Sequence, residues 1–135
     1  MLRVALLSTL LLAPITALAQ GASSCSDASN QMEANTCVSN KLDKANAELN
    51  RVYIVLRSKL DANGQHNLLG AQRAWMTFHD QECNLRTGFD PKNPDASGTI
   101  GPMLVSECLA DLTRQRSKEL QIQVKCLGGD LSCTP

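Results

Sequence analysis

Residues 38–60 read VSNKLDKANAELNRVYIVLRSKL. Val38, Leu42, Ala45, Leu49, Val52, Leu56 and Leu60 recur in steps of four, three, four, three, four and four. That spacing predicts one long helix with a single apolar stripe, and Lys41, Lys44, Arg51 and Lys59 fall off the stripe. Just upstream, Asn30 and Glu33 have the spacing of an N-cap with a reciprocal Glu. This predicts a short helix over about 31–37, either separate or running into the long one. Asn63-Gly64 reads as the C-cap and turn that follow.

Two further helices complete the pattern. Over 66–86, Leu68, Ala71, Trp75 and Phe78 step by three, four and three. Gly70 interrupts this run and is expected where another helix packs close. Residues 87–101 (TGFDPKNPDASGTIG) carry two prolines and three glycines and predict a loop. Pro102 suits the first turn of a third helix, whose buried side is marked by Val105, Cys108, Leu109, Leu112, Leu120 and Val124 and which ends at Gly128-Gly129. No alternating strand pattern and no internal repeat is present. The expected fold is all-α: three main antiparallel helices, up-down-up, plus the short N-terminal helix.

At 135 residues the chain allows one domain. Thirteen basic and thirteen acidic residues leave no global charge to steer nucleic acid or an anionic membrane. With two Phe, one Tyr and one Trp, platforms that stack bases or sugars are disfavoured. Arg3, the apolar run Val4–Ala13 and Ala17-Leu18-Ala19 form a signal peptide over 1–19, cleaved before Gln20. Residues 20–135 are then a single helical domain with a cysteine-bearing C-terminal tail. Cys25 lies six residues beyond Ala19, without a leucine three residues before it, so no lipoprotein anchor is expected. The expected location is the periplasm or the exterior.

An exported chain with six cysteines reads as a disulfide framework. If the second and third helices turn near residue 94, Cys83 and Cys108 sit at similar heights. Cys83–Cys108 is favoured, with Cys25–Cys37 and Cys126–Cys133 as local loops; Cys37–Cys83 is the rival. No C-x-x-C occurs and both histidines are isolated, so neither metal nor cofactor is expected. His79 and Cys83 are four residues apart, but a thiolate–imidazole pair would need Cys83 reduced. Asp80 and Glu82 point to different helix faces and make a poor acid–base pair. No enzyme is expected.

Four segments together resemble a known family. They are Glu33-Ala34-Asn35-Thr36-Cys37; Ala45-Asn46-Ala47-Glu48-Leu49-Asn50 with Tyr53; Ala71-Gln72-Arg73-Ala74-Trp75 with Phe78, Asp80 and Cys83; and Cys108 with Leu112, Thr113, Arg116 and Leu120. In order and spacing they look like the lysozyme-inhibitor LprI-like family of small exported bacterial proteins. The resemblance covers roughly residues 25–120. It implies a disulfide-stabilised helical domain and, from the family's namesake, inhibition of lysozyme. Two features depart from the family pattern: the missing lipidation signal, and His79 where an arginine is usual before the Asp.

The motif residues have bland readings as well. Asn46, Glu48, Asn50 and Tyr53 on one helix, and Gln72, Arg73 and Asp80 on the next, can bridge the two by hydrogen bonds and ion pairs, with Arg116 on the third. Trp75 reads as core, its indole N–H partnered by an asparagine of the first long helix. Charge is uneven along the chain. From His79 to Asp111 there are six acidic residues and two basic ones, whereas 41–59 and 113–125 are basic. An acidic loop end would speed encounter with a strongly basic animal lysozyme. Phe89 is the expected apolar anchor for such a partner, with Asp90, Lys92 and Asp95 as polar contacts. The same non-catalytic scaffold would also suit a periplasmic immunity or adaptor protein for a different partner.

Overall fold

A computed structural model describes residues 25–127. Three long helices account for most of them: α1 (Gln31–Lys59), α2 (Ala62–Thr87) and α3 (Ile100–Lys125). A 3-10 turn, Cys25–Asp27, precedes α1, and another, Pro94–Ser97, interrupts the α2–α3 loop. The expected signal peptide with its cleavage point before Gln20, the expected helix end at Gly128-Gly129, and Cys133 lie outside the described residues.

Local chemistry sets the helix ends. Asn30 caps α1, its side chain accepting from the Glu33 N–H at 2.9 Å. Glu33 reaches back to the Ser29 N–H at 3.0 Å and to its hydroxyl. The capping box is thus displaced by one residue on the return arm. The expected short helix over 31–37 is continuous with the next and forms the first two turns of α1. Asn63-Gly64, expected as a turn, instead lies in the first turn of α2. Asp61 caps that turn by accepting from the Gly64 N–H at 2.7 Å. The link from α1 to α2 is therefore only Leu60-Asp61. Gly88 ends α2 with φ of +68°, a left-handed C-cap that glycine adopts without strain.

α3 is the central element. α1 runs parallel to it along most of its length, and the two backbones come close. Lys41 pairs with Glu107 at 3.8 Å near one end, and the Lys59 ammonium donates to the Val124 carbonyl at 3.4 Å near the other. Small residues line this seam: Ala45 on α1, and Gly101, Ala110 and Ser117 on α3. α2 runs antiparallel to α3 and touches α1 little beyond their short link. The order is up-down-up, as expected, with α1 and α2 each resting on α3 rather than on each other.

The core has two parts. Leu49, Val52, Leu56, Leu68 and Leu120 form one, with Tyr53, Leu60 and Val124 at its margin. Cys83, Val105 and Leu112 form the other, with Phe89, Cys108 and Leu109. Trp75 packs against both and joins them. The α1 and α3 stripes carry the expected apolar residues. The α2 stripe does not: Leu68, His79 and Cys83 are buried, whereas Phe78 is half exposed and Ala71 is exposed. Gly70 also faces open space rather than a packed helix.

Two disulfides secure the described residues: Cys25–Cys37 ties the N-terminal turn to α1, and Cys83–Cys108 ties α2 to α3. The rival Cys37–Cys83 pairing is excluded, because Cys37 and Cys83 each have another partner. The Cys126–Cys133 pairing reaches outside the described residues. Two cross-links of this kind belong to an oxidising compartment.

Candidate functional site

The α2–α3 loop is held from several sides. The Cys83–Cys108 bridge clamps its base. The Asn35 side chain of α1 donates to the Thr99 carbonyl at 3.2 Å. Gly101 is packed so tightly that a Cβ there would fall 1.9 Å from Ser97 Oγ, so only glycine fits without movement. Asp90 accepts from the Lys92 N–H at 2.9 Å, closing an Asx turn at the tip. Of the four residues expected to meet a partner, Asp90, Lys92 and Asp95 are exposed. Phe89 is half-buried against the α2–α3 core, so its ring is mainly a prop for the loop.

Folding moderates the acidity of this end. Glu82 pairs with Arg86 at 2.7 Å, Glu107 with Lys41, and Asp111 with Arg114. Lys41 and Arg114 come from outside the acidic stretch, so six acidic residues there face four basic ones. Asp95 makes no side-chain ion pair among the described residues, and Asp90 spends its carboxylate on the backbone. With the exposed Lys92 between them, they leave the tip a net charge of −1.

A polar cluster lies one turn below the disulfide. His79 is buried, its Nδ1 at 2.8 Å from Asp80 Oδ1 and its Nε2 at 3.1 Å from both the Leu109 carbonyl and Thr113 Oγ1. Both ring nitrogens thus face oxygens, and the position of the ring proton sets which of these contacts are hydrogen bonds. The ring lies 4.6 Å from that of Trp75, and the Arg116 guanidinium sits 6.0 Å from the Trp75 ring centre. Arg116 donates to Gln72 at 3.3 Å and to Glu119 at 3.1 Å. Cys83 is bonded to Cys108, so the imagined thiolate–imidazole pair has no thiol. Trp75 finds its partners in His79 and Arg116, and no asparagine of α1 bonds its N–H among the described residues.

The remaining motif residues divide. Glu48 accepts two hydrogen bonds from Arg51, at 2.8 and 2.7 Å, and one from Gln121 of α3 at 2.9 Å. Chiefly the Arg51 bond holds the Glu48 carboxyl below the usual range. The bridges expected between α1 and α2 thus run to α3 instead, because each of the two helices rests on α3. Asn46, Asn50 and Tyr53 make no side-chain hydrogen bond among the described residues. They converge with Gln72 and Met76 on a hollow of about 210 Å³ between α1 and α2. Tyr53 also lines a neighbouring hollow of about 260 Å³ with Arg57, Gln65, His66 and Leu69. Arg73 is exposed and lines neither hollow. No group of side chains suited to a metal ion occurs among the described residues.

Comparison with known proteins places the chain. A family model described as lysozyme inhibitor LprI matches residues 22–120. The chain belongs to the lysozyme inhibitor LprI family. An uncharacterised protein of Rhizobium meliloti (strain 1021) is 36% identical over 110 residues, covering 72% of this chain and 76% of that relative. No solved structure matches.

For this LprI-family chain, the matched span takes in both described disulfides, the loop and all the quoted motif residues. The structure brings together Gln72, Trp75, Asp80 and Arg116 through the His79 cluster. It brings Asn46, Asn50, Tyr53 and Gln72 together in the groove. It does not join these to Phe89, Asp90, Lys92 and Asp95, which lie beyond the disulfide at the loop. Thr113, quoted in the fourth motif segment, and Ser117, which sequence reasoning missed, are buried polar residues of α3. The α3 stripe passes through both positions, which is the signal that could have placed Ser117 inside.

Proposed function

We propose that the protein is an exported, non-catalytic inhibitor that binds a lysozyme or related wall hydrolase and blocks it sterically. Membership of the lysozyme inhibitor LprI family carries this reading. The disulfides and the signal-peptide pattern support the periplasm or the exterior as its location. No helix among the described residues is long and apolar enough to cross a membrane.

The docking element is the loop between α2 and α3. Its base is cross-linked and Gly101 is packed against it, so little conformational freedom is lost when it enters a cleft. Asp90 and Asp95 at the tip provide negative charge toward a basic enzyme, which raises the association rate more than the final affinity. The double variant Asp90→Asn/Asp95→Asn tests this, because Asn keeps the Asx turn while removing charge. Its association with a basic lysozyme, followed by biolayer interferometry at low salt, is expected to slow and to lose salt sensitivity. An unchanged association rate would remove the loop from the interface.

A further inference from the structure

We propose that the groove between α1 and α2 is a second interaction surface, one that takes an extended peptide segment carrying a carboxylate. It lies on a different face from the loop assigned to lysozyme and does not depend on that assignment. Asn46, Asn50 and Tyr53 follow one flank of α1 toward Arg57, and Gln72 faces them from α2. Asn46 and Asn50 are exposed, and neither amide is used to hold the fold. Gln72 gives its carbonyl oxygen to Arg116, which leaves its NH2 group without a partner among the described residues. Side chains that build nothing are here collected on one concave surface by two helices.

The spacing suits an extended peptide. Asn46 and Asn50 are one helical turn apart, roughly 6 Å along the axis. In an extended chain, peptide groups on the same side repeat every two residues, roughly 6.6 Å. A side-chain amide both donates and accepts, so each can pair with one peptide group of such a strand. Leu69 and Met76, 40% and 54% exposed, offer apolar contact to its alternate side chains. A sugar would require stacking surface, and Tyr53 is the only ring in the amide-lined hollow.

Charge selects the sign. No carboxylate lines either hollow, whereas Arg57 and His66 line the second. Arg57 makes no ion pair among the described residues. Its guanidinium gives an acidic side chain of the peptide a defined place at that end.

The test uses the ¹⁵N-labelled mature chain and three probes: a short blocked peptide of alternating Glu and Thr, its Lys–Thr counterpart, and a disaccharide of N-acetylglucosamine. The Glu–Thr peptide is expected to move the side-chain NH2 signals of Asn46, Asn50 and Gln72 saturably. Asn46→Ala/Asn50→Ala is expected to weaken that binding about tenfold, the equivalent of two modest hydrogen bonds. Arg57→Ala is a second variant that leaves the amide wall intact, and it is expected to weaken the Glu–Thr peptide alone. The proposal is overturned if the Glu–Thr peptide gives no saturable shift, or if the Lys–Thr peptide binds equally well. It is also overturned if the disaccharide saturates the same signals in place of the peptide, or if neither variant weakens binding.

Discussion

α1 takes part in two contrasting regions. Against α3 it buries Val38, Ala45, Leu49, Val52 and Leu56 in a close seam. Toward α2 it shows Asn46, Asn50 and Tyr53 to an open groove. The same helix thus carries a face that makes the fold and a face that the fold does not need. The difference follows from the third partner: α1 and α2 each rest on α3 and pack little against each other, which leaves a groove between them.

The largest effect should come from breaking the seam. Leu120 is fully buried and Leu56 1% exposed, both in the larger core cluster. Leu120→Ala is expected to cost about 2–5 kcal/mol in urea unfolding, through lost burial and the cavity left behind. A cost below 1 kcal/mol would mean that the seam is not the main source of stability.

Next comes the attachment of α2. It contributes only Leu68, His79 and Cys83 as buried residues, so it depends on its cross-link more than α1 does. The double variant Cys83→Ser/Cys108→Ser is expected to lose about 2–4 kcal/mol. Amide exchange should accelerate first in α2 and the loop, with α1 and α3 still protected. Uniform loss of protection would remove the distinction between the two regions.

A smaller effect, of opposite sign, is expected on the exposed side of α2. A Cβ at Gly70 meets nothing within 4 Å. Gly70→Ala should stabilise the protein by about 0.5–1 kcal/mol, seen as a raised thermal midpoint, because Ala fixes the helix at less entropic cost. Destabilisation would show that the position is packed after all.

The smallest effect concerns acid. The Ser29 bonds to Glu33 and the Arg51 bond to Glu48 hold both carboxyls below the usual glutamate range. Such groups contribute fully above that range, and the contribution disappears as pH falls through their lowered values. Glu48→Gln should therefore make stability less steep with pH on the acid side and leave it nearly unchanged in slope near neutrality. Both sites are solvent-exposed, so the change is a matter of slope rather than of folding.

These regions were unequally legible in the sequence. The α1 stripe was readable because its apolar residues recur at helical spacing with few exceptions. The stripe of α2 was obscured by His79, a buried polar residue with partners on both nitrogens, and by the exposed Phe78. An apolar side chain is not obliged to be inside, and a polar one can be when its hydrogen bonds are met. Asn63-Gly64 misled for a related reason. Turn residues also suit a helix's first turn when an Asp precedes them as cap. Hairpin geometry favoured the Cys83–Cys108 pairing but left Cys37–Cys83 as a rival, which the structure excludes. The groove was not legible, because nothing in α1 or α2 separately says that they stand apart. The acidity counted along the chain was also partly illusory, since Lys41 and Arg114 fold against it.

Inhibition of a lysozyme by binding is read out in the clearing of a Gram-positive cell-wall suspension by c-type, g-type and i-type lysozymes, with the mature chain in molar excess. The expected result is slowed clearing by at least one of the three, saturating at a fixed stoichiometry. Undiminished clearing by all three would contradict it.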